Sequence, residues 1–173
     1  KYNGQNIFTG NLSGSLNTTG LGNYTLGYRS MIANTLGTDN IAIGSFSLLS
    51  NVSGNNNISI GKNTLTSNTN GTNNIAICSS ALNANTTGLN NFAAGFGALS
   101  ANTTGTNNVA IGINSLLKNI IGTFNVGIGI NTLSNLLSGS TNIAIGNNSS
   151  GTGSGSAFTS SETNNICIGA FGN

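Results

Sequence analysis

The stretch NTTGTNNVAIGINSL, residues 102–116, contains the pattern that decides the fold. Its Gly112 ends the phrase N-V-A-I-G, and glycine or cysteine ends a similar phrase every 17 residues from Gly10 to Gly146. The tenth phrase ends at Gly169, 23 residues after Gly146, so this step contains six additional residues. Self-similarity at a fixed period is typical of repeat architectures. We call the residue that ends each phrase the marker and number the other positions of a repeat relative to it.

Each repeat predicts one coil of a β-solenoid. Positions −3 to −1 alternate between a β-branched residue and a small one, as in V-A-I, which indicates a strand. Seventeen residues are too few for a βαβ unit but suit one coil of a stacked solenoid. We therefore predict an all-β fold: a parallel β-solenoid, or β-roll, of about ten 17-residue coils. At about 4.8 Å per coil the rod would be on the order of 48 Å long. It would form a single domain over residues 1–173, with an insertion loop within residues 147–162.

Asparagine occupies position −4 in every repeat, and stacked amide side chains can form hydrogen bonds from coil to coil. We therefore predict an asparagine ladder along the rod. The predicted ladder residues are Asn40, Asn57, Asn74, Asn91, Asn108, Asn125 and Asn142.

Large apolar residues recur at positions −3, −1 and +4, and we predict that they stack as a thin continuous core. Position +4 is assigned to a second short extended segment. The predicted core residues are Ile41, Ile43, Ile58, Ile60, Ile75, Ile77, Val109, Ile111, Ile143, Ile145, Leu48, Leu65, Leu82, Leu99, Leu116 and Leu133.

Glycine recurs at the marker and at position +10. Both positions are expected at turns that require positive φ, which glycine adopts most readily. The predicted turn glycines are Gly37, Gly44, Gly54, Gly61, Gly71, Gly88, Gly95, Gly105, Gly112, Gly122, Gly129, Gly139 and Gly146.

Position −2 is small in nine of the ten repeats, as at Ala42 and Ala110. If the neighbouring isoleucines face the core, this position faces outward. Alanine is a poor strand former when exposed. We therefore expect this small face to pack laterally against other chains, the alternative being a flat and sparsely solvated surface.

Composition excludes several classes of function. Only six residues are charged, with a net charge of +2, and no basic stripe for nucleic acid is present. No apolar run is long enough to span a membrane. The chain has no histidine, and its two carboxylates, Asp39 and Glu162, are about seven coils apart. A nucleophilic serine or cysteine would therefore lack a base. We predict that the protein is not an enzyme and has no metal or cofactor site.

The two cysteines, Cys78 and Cys167, lie five coils apart, too far to form a disulfide within one chain. Small buried thiols and an intersubunit disulfide both stay open. Several Asn-x-Ser/Thr sequons occur, and glycosylation depends on the host. They include Asn17, Asn23, Asn51, Asn57, Asn85 and Asn102.

The phrases NNVAIGINSL (residues 107–116) and TNIAIGNNSS (residues 141–150) resemble the repeats of trimeric autotransporter adhesin heads. In those repeats a hydrophobic-Ala-Ile-Gly strand precedes two variable residues and a serine or alanine. The longer repeat, with its N-T-T-G segment, also resembles repeats of phage and giant-virus fibre proteins. The resemblance covers roughly residues 4 to 172. It implies a left-handed parallel β-roll, an extracellular location or a cell or virion surface, and often a homotrimer.

No polar cap is evident in the first or last repeat, and bare parallel edges invite pairing with another chain. Lys1 and Asn173 are phased such that two chains placed end to end lack only three residues of a coil. Such head-to-tail contacts generate filaments. We therefore predict the structural subunit of an extracellular filament or fibre, which associates with itself end to end. Lateral association and a homotrimer both stay open. A fragment of a longer array is the alternative to polymerisation.

The alternative function is an adhesin or viral tail-fibre segment that binds a cell-surface receptor or glycan. The insertion between Asn147 and Glu162 is its predicted binding loop, because loops commonly carry binding sites.

Overall fold

The structure, a computed structural model, describes residues 5–149 and 161–169. Ten three-residue strands form one parallel sheet in chain order, with no helix among the described residues. The strands are β1 (Ile7–Thr9), β2 (Tyr24–Leu26), β3 (Ile41–Ile43), β4 (Ile58–Ile60), β5 (Ile75–Ile77), β6 (Phe92–Ala94), β7 (Val109–Ile111), β8 (Val126–Ile128), β9 (Ile143–Ile145) and β10 (Ile166–Ile168).

Equivalent residues of successive repeats pair directly. Ile41 pairs with Ile58, 17 residues later, and the same register holds from β1 to β9. Across the 23-residue step, Ile143 still pairs with Ile166. The predicted all-β parallel solenoid is therefore confirmed, and the six additional residues leave the stacking of β10 on β9 unchanged. A membrane-spanning helix is absent from the described ranges.

The segment after each strand turns tightly instead of extending. In the repeat that follows β3, the φ angles of Phe46, Leu48 and Asn56 are 59°, 52° and 55°, all in the left-handed region. The prediction of a second extended segment at position +4 is therefore wrong. Backbone hydrogen bonds still join these turns from coil to coil, as from Leu48 N to Thr64 O at 2.9 Å. Pairing with the next coil thus stabilises a conformation that L-residues rarely adopt alone.

Glycine is required at the marker and at position +10 for different physical reasons. Marker glycines such as Gly112 (φ 122°) do require positive φ, as predicted. The glycines at position +10 do not, so that part of the prediction is wrong. A Cβ on Gly105 would lie 2.3 Å from Asn102 Oδ1 and 2.5 Å from Gly122 O. Close approach of the next coil therefore excludes a side chain there. The corrected residues are Gly37, Gly54, Gly71, Gly88, Gly105, Gly122 and Gly139.

The small residues, and not the isoleucines, face the interior. Ala42 is fully buried, whereas Ile41 and Ile43 on either side of it are partly exposed. The cross-section is narrow, and the leucine at position +4 already fills it, so only a small residue fits at position −2. The following predicted core residues instead face outward, half-buried or exposed: Ile41, Ile43, Ile58, Ile60, Ile75, Ile77, Val109, Ile111, Ile143 and Ile145.

The leucine column is the apolar core, as predicted. Its members are fully buried and cluster with the buried alanines of position −2. They are Leu48, Leu65, Leu82, Leu99, Leu116 and Leu133. At the N-terminal coil Gly14 replaces leucine and Phe8 replaces the small residue. A Cβ on Gly14 would lie 2.6 Å from the Phe8 ring, so the ring occupies the space of the missing leucine.

Candidate functional site

The predicted asparagine ladder at position −4 is present and is buried. Oδ1 of Asn74 accepts two hydrogen bonds from Asn91, one from its backbone N–H at 3.0 Å and one from Nδ2 at 3.1 Å. Nδ2 of Asn91 also donates to Gly105 O at 2.8 Å. The same bonds recur at every predicted ladder residue. The ladder continues beyond them, from Asn6 at its first described position to Asn165 at its last.

A second buried ladder runs along position +7 and was not predicted as such. Nδ2 of Asn102 donates to Asn85 Oδ1 at 2.8 Å and to Gly105 O at 3.1 Å. The carbonyl of Gly105 therefore accepts an amide from each ladder. Asparagine at +7 in seven of eight repeats was the available signal. The ladder consists of Asn17, Asn34, Asn51, Asn68, Asn85, Asn102 and Asn119.

Both ladders are polar along the rod. Within each, the Nδ2 donor belongs to the later coil and the Oδ1 acceptor to the earlier coil. The acceptor ends of both ladders therefore point toward the C-terminal coils. Amides aligned in this way polarise one another and strengthen the chain of hydrogen bonds.

Buried hydroxyls at positions −2 and +3 hydrogen-bond to one another beside the leucine core. Ser59 Oγ donates to Thr64 Oγ1 at 2.6 Å, and Ser47 Oγ donates to Ser59 Oγ at 2.8 Å. Space here is limited: a Cβ on Gly127 would lie 2.5 Å from Ser115 Oγ and 2.9 Å from Thr132 Oγ1. The interior is therefore tightly packed around these hydroxyls, which hydrogen-bond to one another and leave no room for a ligand at these positions.

The outward face of the ten strands is apolar. It consists of the side chains at positions −3 and −1, which we call the strand face. None of its twenty residues is charged, and all but Thr9 are apolar or aromatic. Interior examples such as Ile60 and Ile111 are 37% and 38% exposed. Within the described residues, nothing covers this face, which runs the length of the sheet.

The outer edges of β1 and β10 are the two ends of the sheet. In the interior, the backbone N–H at position −3 donates to the asparagine carbonyl of the following coil, as from Ile143 to Asn165 at 2.8 Å. The N–H of Ile166 points in the same direction, where a further coil would lie. Among described residues, none donates to Oδ1 of Asn165. Ile166 and Ile168 are 72% and 74% exposed, about twice the value of Ile60.

The insertion lies mostly outside the described residues, which resume at Ser161. After the insertion, the hydrogen-bond pattern of the repeat resumes at Glu162, whose carbonyl accepts a hydrogen bond from Asn142 Nδ2 at 2.7 Å. A glycine carbonyl accepts the equivalent bond in earlier coils. A binding role for this loop stays a prediction.

Other reactive groups are scattered. Across residues 5–149 and 161–169, no three potential metal-ligating Asp, Glu, Cys or His side chains lie together. Both cysteines are free; Cys167 is buried, whereas Cys78 is exposed, so the alternative of small buried thiols fits Cys167 alone. Five of the six sequon asparagines named above are buried, and Asn17 is half-buried. Four of the six belong to the second ladder and two to the first, so their amides are already engaged.

Comparisons with known proteins found no matching family model, no matching curated protein and no matching solved structure. The resemblance to adhesin heads and fibre repeats therefore stays a prediction.

Proposed function

We propose that this chain is a structural, non-enzymatic building block of an extracellular filament, elongated by end-to-end stacking of solenoids. The observation that carries the proposal is the polarity of the asparagine ladder. The last described coil presents Oδ1 of Asn165 as an acceptor, and the Nδ2 donors of both ladders point toward the first coil. Head-to-tail stacking brings acceptors against donors, whereas head-to-head stacking brings like groups together.

The edge strands support the same arrangement. β1 and β10 each pair on one side only within the described chain, and parallel edges of this kind are templates for further strands. A subunit stacked on β10 would bury Ile166 and Ile168 to the level of the interior isoleucines. Each new hydrogen bond would contribute about 0.5–1.5 kcal/mol. Because a head-to-tail contact does not close on itself, it propagates into a filament.

The extracellular location is the part of the proposal that comes from the resemblance to adhesin-head and fibre repeats. The low charge and the hydrogen-bonded interior suit a mechanical element, because they leave few reactive groups for catalysis. Association with a surface receptor or glycan would be an additional property of such a fibre.

Electron microscopy of the purified protein, with an edge variant, tests the proposal. Ile166→Pro removes the N–H that would donate to the next subunit, and proline is tolerated at a sheet edge. We expect filaments from the unmodified protein and from the control Ile166→Thr, which keeps the N–H. Short rods are expected from Ile166→Pro. Rods of one subunit's length from the unmodified protein at all concentrations would overturn the proposal.

A further inference from the structure

We propose that two copies of this chain pair laterally through their strand faces, with the two rods parallel and a two-fold axis along their common direction. This pairing is independent of end-to-end stacking. It replaces the lateral contact through position −2, which the burial of Ala42 and its equivalents excludes.

The strand face needs a partner because of its sheet type. Parallel sheets occur almost only with both faces covered. Here the inner face packs on the leucine column, as Ala93 and Leu99 do in the core cluster, and the outer face is uncovered among the described residues. A face without charge is matched best by another face without charge, and the chain's own strand face has that property.

The area of the face is sufficient for a reversible pair. Ten strands spaced about 4.8 Å apart, each three residues long at about 3.3 Å per residue, give a strip of about 480 Å². A pair would cover about 960 Å² in projection, and the relief of the side chains adds to it. Specific interfaces bury about 1,000 Å² or more in total, so the strand face lies at the lower end of this range, where pairs are weak and reversible.

The sizes of the outward side chains of β6 determine how the two rods are oriented relative to each other. Phe92 at position −3 is large, and Ala94 at position −1 of the same strand is small; both point outward. A two-fold axis along the rod places position −3 of each copy opposite position −1 of the same coil in its partner. Phe92 of each copy then fills the hollow over Ala94 of the other, twice in the symmetric contact.

An axis along the strands gives a poorer fit. With the ten strands fully overlapped, β6 would face β5 of the other copy. Phe92 would meet Ile75, and Ala94 would meet Ile77, which produces one overfilled contact and one gap. Both defects cost stability in packed interfaces.

Sedimentation equilibrium tests this inference on chains that all carry Ile166→Pro, so that end-to-end stacking does not obscure the lateral pair. Ala94→Phe places an aromatic ring opposite Phe92 and should raise the dimer Kd at least about tenfold. The swapped double variant Phe92→Ala with Ala94→Phe restores one large and one small residue per strand and should return the Kd to within about threefold of the original. All these side chains point outward, and circular dichroism of each monomer checks that the fold is retained. The proposal would be overturned if the Ile166→Pro protein without further changes were monomeric at 100 µM, or if adding Ala94→Phe left its Kd unaltered.

Disulfide cross-linking tests the direction separately. In a background of Cys78→Gly and Cys167→Ala, we expect a mixture of Phe92→Cys and Ala94→Cys chains to form cross-linked mixed dimers. Neither chain alone should cross-link. Cross-linking of Phe92→Cys with itself would contradict the parallel two-fold pair. Filament formation by the Ile166→Thr protein is unaffected by these outcomes, so the axial and lateral proposals are judged independently.

Discussion

Leu136 occupies position +7 in the coil that follows Asn119, and the second ladder stops between these two residues. Oδ1 of Asn119 is buried and, among the described residues, receives no hydrogen bond. In the seven coils before Leu136 this position is asparagine, and each of those from Asn34 onward donates to its predecessor. The end of the ladder therefore leaves one buried acceptor unpaired, a situation that costs about 1–3 kcal/mol.

We expect Leu136→Asn to be more stable than Leu136→Ala by about 1–3 kcal/mol, although both remove the same leucine. Only asparagine can donate to Asn119 Oδ1 and to the Gly139 carbonyl, as its equivalents do in earlier coils. Urea denaturation followed by circular dichroism measures the difference. Equal stabilities would contradict a net gain from pairing the Asn119 acceptor. In an Asn119→Ala background the advantage should shrink.

Removal of one amide from the middle of the first ladder should strongly lower the stability of the fold. Asn91→Ala deletes two donated and two accepted hydrogen bonds in a fully packed interior, and we expect a loss of at least about 3 kcal/mol of unfolding free energy.

The matched control is Asn70→Ala, because Asn70 is exposed and its Oδ1 accepts only an exposed hydroxyl from Ser53. That change should stay within about 0.5 kcal/mol. Similar losses from the two variants would contradict the assignment of stability to the buried ladder.

The orientation of the strands can be tested with two neighbouring alanines. Ala93→Ile places a large side chain in the filled interior and should destabilise the fold by about 1–3 kcal/mol or more. Ala94→Ile points outward and restores the residue found at this position in most repeats, so we expect a change within about 0.5 kcal/mol. Thermal denaturation at low protein concentration, where lateral contacts are absent, compares them. The reverse order would mean that the isoleucines face inward.

The glycines of position +10 should be sensitive to a single methyl group. Gly105→Ala brings Cβ within 2.5 Å of Gly122 O, a backbone atom that cannot move without displacing the next coil. We expect a loss of several kcal/mol, of the size found when packed groups are overfilled at more than one contact.

Gly97→Ala is the comparison, because Gly97 has φ 68° and its nearest atom at 2.8 Å is the movable Oδ1 of Asn114. Positive φ alone costs alanine about 1–2 kcal/mol. A smaller effect at Gly105 than at Gly97, measured by urea unfolding, would count against close approach as the reason for this column.

The period and register could be predicted from the sequence because stacking forces each residue type onto its own copy. The first ladder and the leucine core follow from the same reasoning, and both are confirmed. The direction of the isoleucines could not be predicted this way. A period-two pattern states that Ala42 and Ile43 face opposite sides, but not which side is inside. Hydrophobicity favoured isoleucine, whereas the narrow cross-section admits only the smaller residue.

The role of the glycines at position +10 could not be predicted from the sequence either. Its reason lies in the amide of Asn102 and the carbonyl of the next coil, whose positions depend on the folded turn. The second ladder was different, since seven asparagines at one position carried the signal. The turn in which they lie shows no strand pattern, so the sequence alone did not indicate whether their amides point inward.

The common direction of the amides gives this rod a front and a back. If subunits add end to end as proposed, one end of the rod offers hydrogen-bond acceptors and the other offers donors. Elongation from a seed would then be faster at one end than at the other. A seed immobilised by its first coil would then lengthen at a different speed from one held by its last.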